Sequence, residues 1–113
     1  MHELSIAMNI ADLAAGHARK AGAERVKSIE LDIGALSGVE IGALTFAMDI
    51  AFKDTILEGA AVKVNRIEAR VACPDCDHES APDDLIAGCP ACGGSNIRIS
   101  GGMEMQLHSL LIE

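Results

Sequence analysis

Aromatic side chains are almost missing from this sequence: it has no tryptophan, no tyrosine and two phenylalanines, Phe46 and Phe52. A core built from it must be aliphatic, and no array of rings is available for stacking nucleobases. Basic residues are scarce as well, nine Lys and Arg against seventeen Asp and Glu, giving a formal net charge of −8. Phosphate backbones attract lysine and arginine and repel carboxylates, so nucleic acid is excluded as a partner. An anionic membrane surface is a poor partner on the same ground. No apolar run approaches the length of a bilayer span. The first residues lack a basic stretch, and Asp12 interrupts the apolar ones, so no secretory leader is expected and the expected compartment is the cytoplasm.

What is present amounts to one domain's worth of chain, 113 residues of which half are hydrophobic. Residues 3–21 have helical periodicity. Leu4, Ala7, Met8, Ala11, Ala14, Ala15 and Ala18 fall on one side, and Ser5, Asn9, Asp12, Gly16 and Arg19 on the other. The stretch VKSIELDIG alternates, with Ile29, Leu31 and Ile33 in one phase and Ser28, Glu30 and Asp32 in the other, which predicts a half-buried strand. Ser37 and Glu40 stand at capping-box spacing, predicting a second helix with Ile41, Leu44, Met48 and Ala51 inward. AAVKVNRIEARVA reads as one further strand with a slip in phase near Asn65 and Arg66. GMEMQLHSLLIE reads as a last strand, with Met103, Met105 and Leu107 in phase. The predicted class is therefore α+β: a small mixed three-stranded sheet with two helices, plus a zinc-ribbon-like knuckle insert. Residues 1–70 and 101–113 form the body, and residues 71–100 the insert.

The insert holds all four cysteines and all three prolines. Cys73 and Cys76 form one CxxC pair and Cys89 and Cys92 another, with twelve residues between the pairs. Each pair can bend into a knuckle presenting two thiolates, and two facing knuckles make a tetrahedral four-sulfur site suited to structural Zn²⁺. In a reducing compartment disulfides are disfavoured. An iron site and a dithiol redox pair are the minority readings. Asp75, Asp77, Glu79, Asp83 and Asp84 crowd the insert against a single Arg98, which removes the nucleic-acid reading common for zinc knuckles.

The other pattern with metal chemistry in it is Met1-His2-Glu3. A terminal amine and the His2 amide nitrogen close a five-membered chelate ring on a metal, and the amide and imidazole Nδ1 close a six-membered one. Such nitrogen sets suit square-planar or tetragonal Ni²⁺ or Cu²⁺. Glu3 can add an amide or carboxylate donor. Histidine is too large a second residue for ordinary methionine removal, so the amine belongs to Met1. From spacing alone, a plain surface histidine at a frayed terminus is the ordinary expectation.

The start MHELSIA, the segment IGALSGVE before the second helix, and CPDC followed by CPACG before a terminal strand occur in that order over the whole chain. In this the sequence resembles the HypA/HybF family, nickel metallochaperones of [NiFe]-hydrogenase maturation. The resemblance implies a binding protein rather than an enzyme. It implies transferable nickel at His2 with Met1 and Glu3 as neighbours, and structural zinc at Cys73, Cys76, Cys89 and Cys92. It further implies a nickel-handling GTPase and the hydrogenase large subunit as partners, with urease maturation proteins in some relatives, and a monomer or homodimer. The competing reading is a zinc-knuckle adaptor that binds proteins and has no nickel role. Of the remaining histidines, His17 is expected at a packed boundary, and His78 and His108 in solvent. Glu40 is expected as a cap. Met8, Met48, Met103 and Met105 are expected to fill core gaps.

Overall fold

The computed structural model describes residues 2–80 and 88–113. Its order is α1 (Glu3–Lys20), β1 (Val26–Gly34), α2 (Ile41–Ala51), β2 (Ala61–Ile67), β3 (Arg70–Cys73), β4 (His78–Ser80), β5 (Arg98–Gly101) and β6 (Met105–Ile112). Met1, Pro82, Asp83 and Asp84 lie outside the described residues.

α1 forms because alanines recur at helical spacing, with Glu3 in its first turn and His17, Arg19 and Lys20 in its last, as the helix dipole favours. Ala7, Ile10, Ala11, Ala14, Ala15 and Ala18 are buried. These short side chains let the helix axis lie close to its neighbours. Gly22, at φ +73°, turns the chain after the last helical residue.

β1 is the centre of the first sheet, whose order is β2-β1-β6. It pairs parallel with β2, from Ser28↔Ala61 to Gly34↔Ile67, and antiparallel with β6, from Val26↔Ile112 to Ile33↔Met105. A parallel pair needs a crossover, and α2 supplies it. Ile29, Leu31 and Ile33 bury completely against α1 and α2, joined by Leu44, Met48, Phe52 and Leu57. The mixed sheet and its two helices agree with the sequence reading. In β6 one residue is inserted opposite Glu30 and Leu31, where Glu30 faces Ser109 and Leu31 faces Leu107. The bulge lets both Leu107 and Leu110 turn to the core side.

Three expectations require correction. Ser37 does not cap α2; Glu40 does, its carboxylate accepting from the amides of Gly42 and Ala43, while Ser37 Oγ accepts from Val39 in the preceding turn. The long second strand is two strands: β2 ends at Ile67, and β3 enters a separate antiparallel sheet of order β4-β3-β5. The phase slip thus marks the approach to a change of sheet. Met48 is buried, but Met8, Met103 and Met105 are about half exposed: Met8 lies off the buried stripe of α1, Met103 in the connection between β5 and β6, and Met105 at the first residue of the edge strand β6.

The two sheets meet where the chain crosses itself. Ala35 N–H donates to Ile67 O at 2.8 Å, Leu36 N–H to Gly102 O at 2.6 Å, and Gly34 N–H to Glu104 O at 2.7 Å. The strand leading into the second sheet and the strand returning from it are thereby both fastened to the end of β1. The molecule extends 54 × 26 × 17 Å. Its radius of gyration of 17.5 Å exceeds the roughly 13 Å of a spherical chain this long.

Candidate metal centre

The second sheet brings the two CxxC pairs together. Cys73 is the last residue of β3, and the chain turns back at once so that β4 pairs with β3, Cys73 opposite His78. In the first knuckle Asp77 N–H donates to Cys73 O, and in the second Gly93 N–H donates to Cys89 O, both at 2.8 Å. Asp77 and Gly93 both have positive φ, 57° and 73°, so the two turns share one construction. The four ligand atoms lie within 4.8 Å of one another, with Cys73 Sγ to Cys92 Sγ and Cys76 Sγ to Cys89 Sγ both 3.6 Å. A disulfide would need about 2.05 Å. Sulfurs about 2.3 Å from a tetrahedral ion stand about 3.8 Å apart, so these four thiols fit an ion such as Zn²⁺. The Cys89 thiol is pulled down to about 6, foremost by the backbone N–H of Cys92 and also by that of Ala91, against the opposing effect of burial. Backbone donors that favour thiolate are therefore already directed at the cage.

His2 sits at the N-cap of α1, exposed, and its imidazole makes no capping hydrogen bond; its carbonyl accepts from Ile6 at 3.2 Å. Glu3 follows in the first turn, partly buried. Among the described residues only the four cysteines form a group of three or more candidate side-chain ligands, so His2 and Glu3 are not drawn into any such cluster. Glu40 uses its carboxylate on α2. His17 is exposed, not packed, because α1 buries its alanine stripe and turns this residue outward. His78 is exposed on β4.

A polar network that the sequence reading passed over lies on the face of the first sheet opposite the helices. Asp32 is 8% exposed and accepts from Asn65 Nδ2 at 3.0 Å, Gln106 Nε2 at 3.2 Å and His108 Nδ1 at 2.9 Å. An ionised carboxylate only accepts, so the His108 proton is on Nδ1. Asn65 Nδ2 also donates to Glu30 Oε2 at 2.7 Å, and His108 Nε2 lies 4.0 Å from that oxygen. The alternation of β1 and the phase of β6 placed Glu30, Asp32 and His108 outward correctly. What they lacked was the β1–β6 register, which brings residues 76 positions apart into contact.

Asp32 is held below the usual carboxylate range, by Asn65 first and then by His108 and Gln106. Glu30 is lowered chiefly by Asn65, with Lys63 and His108 contributing. His108 is raised by its hydrogen bond to Asp32 and by the charges of Asp32 and Glu30, against desolvation and Lys63. The stabilisation from His108 is complete below its unfolded value of about 6.5 and is lost as pH rises through its raised folded value. That from Asp32 is complete above its unfolded value of about 3.9 and is lost as pH falls through its depressed folded value. The network therefore holds β6 best between these limits. In metal-free buffer, the urea midpoint of the native protein should exceed that of His108→Gln by most in mild acid. The difference should shrink steadily into the alkaline range.

The family model described as "Hydrogenase/urease nickel incorporation, metallochaperone, hypA" matches residues 1–112. The chain is 42% identical over 113 residues to hydrogenase maturation factor HypA of Parabacteroides distasonis, covering 100% of this chain and 98% of that protein. It is 39% identical over 110 residues to hydrogenase maturation factor HybF of Morganella morganii, covering 97% of each. Among solved structures it is similar to the solution structure of the Ni metallochaperone HypA from Helicobacter pylori, with TM-score 0.73, 25% identity, and 99% of this chain and 97% of that one covered. A second solution structure of a HypA protein gives TM-score 0.79 at 27% identity, over 100% of this chain and 97% of that one.

Proposed function

This chain belongs to the HypA family of metallochaperones for nickel incorporation into hydrogenase and urease, a family of metal carriers and not of enzymes, and from that premise we propose that it carries Ni²⁺ at its N-terminus. His2 supplies the imidazole, the Met1 amine and the His2 amide supply two further nitrogens, and Glu3 stands as a neighbouring donor. The supporting observation is His2 itself: exposed, at the start of α1, with its side chain free of any capping duty. A chelate assembled mainly from backbone nitrogen needs no cluster of side chains. It also stays open on one side, as a carrier that must release its cargo requires.

Cys73, Cys76, Cys89 and Cys92 hold Zn²⁺, supported by sulfur spacings of 3.6 Å that match a tetrahedral ion. A four-sulfur cage leaves no position for substrate, so the role of this ion is to hold the second sheet together. On this reading residues 71–100 form a zinc-binding unit and residues 1–70 with 101–113 the nickel-binding unit. Family membership places the protein in hydrogenase maturation. Within it, we assign delivery to the large subunit of the [NiFe]-hydrogenase in the cytoplasm, alongside a nickel-handling GTPase, with urease maturation proteins as a second destination.

Equilibrium dialysis against Ni²⁺ tests the assignment. His2→Ala should lose the tightly held equivalent while keeping its zinc and its circular dichroism. A protein extended by a few residues before Met1 should bind as weakly, because the amine has moved. Unchanged nickel affinity in His2→Ala would refute the site.

A further inference from the structure

We propose that His108 Nε2 and the Glu30 carboxylate form a second, solvent-open site for a divalent transition-metal ion such as Ni²⁺, on the face of the first sheet opposite the helices. The two donors come from β6 and β1, which pair directly, and His108 is the residue inserted at the bulge opposite Glu30 and Leu31, so their separation is set by paired strands and not by a loop. His108 Nδ1–H donates to Asp32 Oδ2 at 2.9 Å. A carboxylate in that position fixes the tautomer and leaves the Nε2 lone pair free, as is general for histidines that bind metals. Nε2 is then 4.0 Å from Glu30 Oε2. Donors each about 2.1 Å from an ion and adjacent around it stand about 3 Å apart, so the Glu30 carboxylate must close by about 1 Å. Both side chains can reach water, His108 being 52% and Glu30 29% exposed.

An ion pair with Asp32 would need only a cation, which lysine provides. Imidazole adds a second nitrogen, and here that nitrogen is directed at a second carboxylate. Asn65 and Gln106 hold the carboxylates in place, Asn65 touching both Glu30 and Asp32 and Gln106 touching Asp32. Imidazole with carboxylate and water suits Ni²⁺ and Zn²⁺ rather than Ca²⁺. Lys63 of β2 acts on Glu30 through its charge and opposes a cation there, so with two protein donors the site is weak and exchanges its ion readily. Its location is independent of the N-terminal assignment.

The experiment is addition of nickel sulfate to the zinc-loaded, ¹⁵N-labelled full chain at mildly alkaline pH, followed by proton–nitrogen correlation spectra. Nickel bound by one imidazole, one carboxylate and waters is six-coordinate and paramagnetic, whereas a square-planar ion on a deprotonated amide is diamagnetic. Beyond the first equivalent, the amide signals of Glu30, Asn65, Gln106 and Ser109 should broaden in the native protein and in His2→Ala. The broadening should vanish in His108→Lys, which keeps a cation beside Asp32 but offers no ligand. Asp32→Asn, which loosens the imidazole, should need about tenfold more nickel for the same broadening. Sharp signals in the native protein after several equivalents, broadening that survives His108→Lys, or broadening lost in His2→Ala would each overturn the proposal.

Discussion

Gly34→Ala should cost about 3 kcal/mol or more of folding stability, the cost of forcing a methyl into a space with no give. A Cβ built on Gly34 falls onto the carbonyl group of Gly102 and lies 2.7 Å from the amide nitrogen of Glu104. All these atoms are backbone, so no side chain can rotate away. The same place carries the bonds from Gly34 N–H to Glu104 O and from Leu36 N–H to Gly102 O. Opening the crossing to admit the methyl therefore breaks the bonds that fasten the second sheet to β1. Gly16→Ala is the control. Nothing lies within 4 Å of its Cβ, and alanine favours a helix by up to about 1 kcal/mol over glycine. Urea unfolding of the two variants should move in opposite directions. A Gly34→Ala midpoint equal to that of the native protein would mean that the crossing is not as close as described.

Removal of the ion from the four-sulfur cage should melt β3, β4 and β5 and leave β1, β2, β6 and both helices folded. Among the described residues, the buried apolar side chains of the second sheet are Val71, Cys73 and Cys89. Burial of one valine contributes about 2 kcal/mol, and a structural zinc about 10 kcal/mol or more. The exposed Arg70–Glu79 ion pair at 2.7 Å adds little against ordering so many residues. The first sheet has its own core of Ile29, Leu31, Ile33, Leu44, Met48 and Leu57, none of which depends on the cage. Amide exchange after chelation should show protection lost across β3–β5 and kept at Leu31. Cys89→Ala should give the same pattern. Protection retained throughout would deny the ion its structural role.

The residues that declare themselves in sequence are those whose environment is set locally. The alternation of VKSIELDIG corresponds to β1 residue for residue, because one face of that strand is buried along its length. The cysteine spacing indicates the cage because two knuckles suffice to build it. Other features depend on partners far away in the chain. The phase slip near Asn65 and Arg66 marks an irregularity but does not announce that the chain leaves one sheet for another, since the break is enforced by the crossing with Gly34 and Gly102. Phe52 and Leu57 bury in the core from a connecting segment with no regular period, so periodicity cannot find them. Met105 keeps strand phase with Leu107 yet stays 47% exposed, because β6 is an edge and the core ends before its first residue. At the N-terminus the geometry adds the freedom of the His2 side chain. The choice of nickel rests on the chemistry of the donors and on family membership.

The strand that completes the main sheet, β6, follows the second sheet in the chain and pairs with β1 from Val26↔Ile112 onward. During synthesis, β1 must therefore wait with one edge bare until β6 clears the ribosome. The four cysteines lie wholly between these two strands in the chain, so their cage can form while the first sheet is still unfinished. A nascent chain halted before Met105 would hold a formed cage beside an incomplete sheet. A cell that releases such fragments would face an open β edge next to Ile29, Leu31 and Ile33, a template for clumping that the finished protein closes with β6.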